Sequence, residues 1–223
     1  MLISQVELPV SDAVQVARFY GDVLGMLIRR LAASWRSGSG CPCCRSAWPG
    51  GAGRVPLRSD VPEDRFAEAK AWLEERVPLL ERDGLDEFTL GAPWNSQSVY
   101  FAGPDGILLE LIARHDLPAV ASSGRFSSAD SLRTSEIGLA VRDVPAAVAT
   151  LQDAFGLPVF GTAAAEFTPL GDPDGLLIVV RQGRLWFPTT TVTPSLGPIA
   201  VTVELPSAGK SVTLTANCHV KAG

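Results

Sequence analysis

Gln5-Val-Glu-Leu-Pro-Val-Ser-Asp12 and Glu136-Ile-Gly-Leu-Ala-Val-Arg-Asp143 align without a gap, and each leads into an amphipathic segment that stops at a glycine. The stops are Gly25-Met26 in one copy and Gly156-Leu157 in the other. Each copy is followed later by a hairpin signal, Gly103-Pro-Asp-Gly106 and Gly171-Asp-Pro-Asp-Gly175. Repetition at this scale restricts the fold to a duplicated β-α-β-β-β unit. Ser11-Asp12 supplies an N-cap for a helix with Val14, Ala17, Phe19, Tyr20, Val23 and Leu24 on its apolar side. Met26 to Leu31 is then expected to return as a strand.

The stretch Trp94 to His115 contains the sharpest local signal. Residues 98–102 and 107–113 are rich in β-branched and aromatic types and flank the Gly-Pro-Asp-Gly turn, which predicts a hairpin. Glu110 interrupts the apolar run 107–112. Period two puts Leu108, Glu110 and Ile112 on one face, and a carboxylate facing a core is costly unless paired, protonated or bound to a metal. The alternative is that this face is the solvent side of an edge strand. Aligning the two turns sets Val179 at the place of Glu110, so the second copy lacks the carboxylate.

Elsewhere the pattern is more ordinary. Val55 to Asp60 reads as a strand, and Pro62-Glu63-Asp64 opens a helix whose Phe66, Ala69, Trp72 and Leu73 share a face. Val77 to Leu90 reads as a charged connection with a turn at Asp83-Gly84. The stretches 199–205 and 211–216 read as short strands, with Cys218-His219 in a mobile tail. Residues 32–54 contain no Val, Ile, Leu or Phe and no acid, and their composition resembles GC-rich coding read out of frame. They predict a loop or insertion, and an intact gene sequence through 32–58 tests for a frame slip. Domains are expected at 1–115 and 134–223, joined by a linker at 116–133.

Composition narrows the classes of partner. A formal net charge of −5 and no long basic run argue against nucleic acid. No apolar run reaches the length of a membrane span, and the first residues lack a secretory pattern, so a soluble cytoplasmic protein is expected. Cys41, Cys43 and Cys44 lack the paired spacing of a zinc site. His115 is expected at a solvated strand end.

The residues LPVSD, FYGDVLGM and VYFAGPDGILLELIAR resemble those of the vicinal oxygen chelate superfamily, which includes glyoxalase I, bleomycin-resistance proteins and extradiol dioxygenases. The resemblance covers 2–31 and 61–115 well and 135–188 more weakly. It implies an α+β fold of paired βαβββ modules, with curled mixed sheets around a cleft that holds a divalent metal. On that resemblance Glu110 falls on the last-strand carboxylate, and Gln5 and Glu136 fall on first-strand ligand positions. The second first-strand position, usually histidine, falls on Pro56. The metal implied is Mn, Mg, Zn, Ni or Fe; oxygen donors suit Mg²⁺, Mn²⁺ or Ca²⁺ better than tightly held Zn²⁺.

Two functions follow from the resemblance. One is a metal-dependent lyase, isomerase or dioxygenase acting on a small vicinal-oxygen substrate, with Glu110 as ligand and catalytic group. The other is a binding protein that sequesters a drug-like or aromatic molecule without turnover. In either case Trp94, Tyr100, Phe101, Leu108 and Ile112 are the expected ligand-facing side chains. The family forms its cleft within one chain or across a homodimer, and the duplication permits both.

Overall fold

The computed structural model of the protein describes residues 1–26, 56–118, 124–206 and 208–223. The expected strand after Met26, the segment 32–54 with its three cysteines, and Val55 lie outside these residues. Among the described residues the order is β1 (Leu2–Glu7), α1 (Ala13–Arg18), β2 (Pro56–Asp60), α2 (Phe66–Glu74), β3 (Glu87–Leu90), β4 (Ser96–Ala102) and β5 (Leu108–Arg114). Then come β6 (Arg133–Val141), α3 (Val144–Phe155), β7 (Phe167–Asp172), β8 (Gly175–Arg181), β9 (Ile199–Glu204), β10 (Ser211–Thr215) and β11 (Cys218–Ala222).

Local chemistry sets the boundaries. Asp12 caps α1 by accepting from the Val14 and Gln15 amides at 2.8 and 3.1 Å, and Asp143 caps α3 through the Ala146 amide at 3.0 Å. Helix α1 runs on as a π turn over Phe19–Val23, and Val14 on it is 57% exposed, outside the expected apolar stripe. Helix α3 ends at Gly156, whose φ of +70° is the left-handed conformation that glycine adopts freely. The turn Asp83-Gly84 joins Arg82 to Leu85 by two reciprocal backbone hydrogen bonds, both turn residues having positive φ. The connection read from Val77 to Leu90 thus ends in an unforeseen strand, β3.

A seven-stranded sheet has the order β3-β4-β5-β2-β6-β8-β7. The sequence 56–114 forms a βαβββ unit (β2, α2, β3, β4, β5) and 133–181 a βαββ counterpart one strand shorter (β6, α3, β7, β8), and they join where β2 and β6 run antiparallel. A four-stranded sheet, β1-β9-β11-β10, draws strands from both ends of the chain. The sheet partnerships therefore run across the 116–133 segment. Residues 218–222 are not a mobile tail: β11 lies between β9 and β10, and Cys218 is 1% exposed.

Alternation along the strands separates two faces. On the outer face Ile137, Leu139, Leu177 and Val179 pack with α3 and with Ile3, Val201, Val203 and Val220 of the smaller sheet. Val99, Phe101, Leu109 and Leu111 pack against α2 and the α1 extension. Burying each such side chain contributes about 1.5–3 kcal/mol. The inner face carries Tyr100, Leu108, Leu176, Ile178 and Val180 together with Trp186. Val179 is therefore not the counterpart of Glu110, because a one-residue offset along a strand reverses the face.

Candidate functional site

One row of residues crosses five strands of the inner face. Cα pairing runs Tyr100 to Glu110, Glu110 to Arg58, Arg58 to Glu136, and Glu136 to Leu176. Side chains in a row stand on one face, so three charged groups meet at the seam between the two units. Arg58 uses Nε for Glu110 and Nη1 for Glu136, bridging carboxylates on either side of it. Arg114 takes the other Glu136 oxygen through Nη2. Asp60 lies 3.7 Å from Arg114 Nε and 3.5 Å from Arg133 Nε, and Arg133 also pairs with Asp174.

The cluster is dry. The side chains of Glu110, Glu136, Arg114 and Asp60 are all at most 2% exposed. Burial pushes the Glu110 carboxyl above the usual carboxylate range, while the Arg58 charge and the Tyr100 hydroxyl pull it back. Asp60 is likewise raised by burial, against the opposing effects of the Ser135 hydroxyl, Arg114 and Arg133. Arg114 is lowered by burial. Tyr100 is raised by burial and by the neighbouring Glu110 charge.

Aromatic rings roof this cluster. Trp94 lies 6.0 Å from the Arg58 guanidinium carbon and 5.7 Å from that of Arg114, a cation–π range. Trp94 meets Phe160 edge-on at 5.3 Å, so the loops of the two units touch above the seam. Toward the β3 edge, Phe88, Tyr100 and Phe187 contact one another edge to face at 4.7 to 5.7 Å. Phe187 remains 39% exposed and its neighbour Leu185 47% exposed.

The structure brings Glu110 and Glu136 together, with Tyr100, Leu108 and Ile112 on the same face and Trp94 above. It does not bring Gln5 there: Gln5 is exposed on β1 of the smaller sheet, where its amide donates to Glu7 at 2.9 Å. Phe101 points to the outer face and lines a cavity of about 490 Å³ with Tyr20 and Trp72. Pro56 is on the inner face, but the residue level with Glu110 is Arg58. Sequence reasoning passes over Arg58, Asp60 and Arg114. Their signal is present, since Arg58 and Asp60 share one face of β2 as Glu110 and Arg114 do on β5.

A metal of the kind the resemblance implies does not fit these residues. Such an ion needs about three ligands and open positions. Here both carboxylates are held by guanidinium groups, and His115 is instead 2.7 Å from Glu63 while His219 is 3.0 Å from Thr213. Among the described residues no group of three or more His, Cys, Asp or Glu is placed to hold an ion.

No known family profile matches the sequence, and no curated protein matches it. Solved structures do match. A Bacillus subtilis protein assigned as a dioxygenase superposes with a TM-score of 0.59 at 15% identity, covering 100% of this chain and 85% of that one. Glyoxalase I from Zea mays superposes with a TM-score of 0.51 at 14% identity, over 90% of this chain and 74% of its own. At such identities the likeness concerns the fold. A βαβββ unit and its shorter βαββ counterpart, joined edge to edge around an inner face, give this chain an α+β fold like that of the dioxygenase-assigned protein and glyoxalase I.

Proposed function

We propose that the protein binds a small, flat, largely apolar molecule at the aromatic end of its cleft and does not transform it at a metal. The observation that carries this reading is the trio Phe88, Tyr100 and Phe187, in which an exposed Phe187 ring stands on a half-buried Phe88 and a buried Tyr100 beside a cleft centre filled by ion pairs. Edge-to-face rings favour a planar guest that completes the stack. Arg82, whose guanidinium carbon is 5.6 Å from the Phe187 ring, adds a cation at the rim and suits a guest bearing a carboxylate or phenolate. The metal-dependent lyase, isomerase or dioxygenase would need Glu110 free to take an ion, and Arg58 holds it.

Tryptophan fluorescence titration with a panel of planar aromatic acids and polycyclic compounds tests the proposal. Saturable binding is expected for at least one compound, weakened about tenfold or more by Phe187→Ala, the equivalent of about 1.4 kcal/mol. A panel without saturable binding, or affinity indifferent to Phe187 and Phe88, would refute it.

A further inference from the structure

We propose that Arg58 is a built-in cation: its guanidinium holds the position between Glu110 and Glu136 that a divalent ion would need, and exchanging it for a neutral ligand side chain turns the pair into a metal site. This rests on the metal-independent reading above. Glu110 is on β5 and Glu136 on β6, with β2 between them, so the two carboxylates converge only across Arg58. Each is almost fully buried, and two unpaired carboxylates in such a place would repel each other and take up protons. A positive charge is therefore required there, and Arg58 supplies it, with a directed N–H bond to Glu110 and an ion pair with Glu136.

The choice of arginine matters. A histidine or lysine could vacate the charge by losing a proton, whereas a guanidinium remains charged at any physiological pH. Its head is also confined, with Trp94 at 6.0 Å and the Tyr100 hydroxyl against it. An incoming ion thus meets a fixed like charge. Arg114 engages Glu136 Oε1 and leaves Oε2 to Arg58 alone, so removal of Arg58 frees one oxygen on each carboxylate in the same space. A histidine at this position would add a nitrogen donor and complete a set of three, a composition that suits Mn²⁺ or Ni²⁺.

The test is calorimetry, with Mn²⁺ paramagnetic resonance, on wild type, Arg58→His, Arg58→Lys and Arg58→His/Glu110→Gln, with folding followed by circular dichroism. Arg58→His is expected to bind one Mn²⁺ per chain, and the added Glu110→Gln to weaken that binding at least tenfold. Wild type and Arg58→Lys are expected to show no metal binding that depends on Glu110. If Arg58→His is unfolded without metal, Mn²⁺ is expected to restore its structure, because a ligand that binds only the folded state stabilises it. An Arg58→His protein that folds yet ignores metal, or stays unfolded with metal, overturns the inference alone. Glu110-dependent metal binding by wild type overturns both the inference and the metal-independent reading.

Discussion

Arg58 and Glu136 pair across the antiparallel seam where the βαβββ unit meets its βαββ counterpart, so a buried charge contact of the cleft is also a contact between the repeats. Glu110 attaches to the same guanidinium from within the first unit. The inner face is thereby tied together by one side chain that belongs to a short strand of five residues.

Removing that side chain leaves two buried carboxylates without their shared cation. Arg58→Met is expected to destabilise the fold by about 3–5 kcal/mol, the range for breaking a buried pair from one side. Adding Glu110→Gln should cost less than the two single changes summed, because the penalty for the stranded acid is counted once. Urea denaturation of the four proteins measures this. Strict additivity would show that Arg58 and Glu110 do not interact.

Close backbone approach at the same seam makes a second test. A Cβ on Gly138 would lie 2.5 and 2.7 Å from the Pro56 ring carbons and 2.8 Å from Trp186, so β2 or the Trp186 loop must shift. Gly138→Ala is expected to lose about 1–3 kcal/mol, as overpacked cores do. Gly91→Ala meets nothing within 4 Å and should stay within about 0.5 kcal/mol of wild type. Equal thermal midpoints for the two variants would contradict the packing described.

The repeat and the hairpin were legible because they are local: turn glycines, capping aspartates and strand alternation are written within a few residues of one another. Which repeats pair is not local. The alignment of Gln5 with Glu136 points to two equivalent modules, yet β1 joins β9 while β6 joins β2, since sheet partnership is decided by which apolar faces find cover. Glu110 was recognisable as misplaced in an apolar strand. Its partner was not, because an arginine in Pro-Leu-Arg-Ser-Asp looks like any exposed strand residue until β5 and β6 stand on either side. Phe101 and Val179 fall on the face opposite Tyr100 and Glu110 for a simpler reason, namely that neighbouring residues on a strand face opposite ways.

Cys218 reports on the smaller sheet. It is 1% exposed on β11, and burial pushes its thiol up to about 12. In a Cys41→Ser/Cys43→Ser/Cys44→Ser background the remaining thiol is expected to resist a disulfide reagent at neutral pH and to react fully in urea. Rapid labelling of the folded protein would show that β9, β11 and β10 do not form a closed layer.

Asp60 makes the pH dependence of stability run against the usual direction. Its carboxyl lies above the ordinary value when folded, for burial outweighs Arg114 at 3.7 Å and Arg133 at 3.5 Å. Between the unfolded value of about 3.9 and the raised folded value, the native state holds the proton that the unfolded state has released. The stabilisation from that proton is complete below the unfolded value and is lost as pH rises through the folded one. Asp60→Asn removes the titration and keeps the shape. Urea midpoints measured from acidic to neutral pH should therefore fall for wild type relative to Asp60→Asn as pH rises, the two curves separating across this window. Curves that stay parallel would mean that Asp60 is ionised in both states, and that the guanidinium groups around it compensate its burial in full.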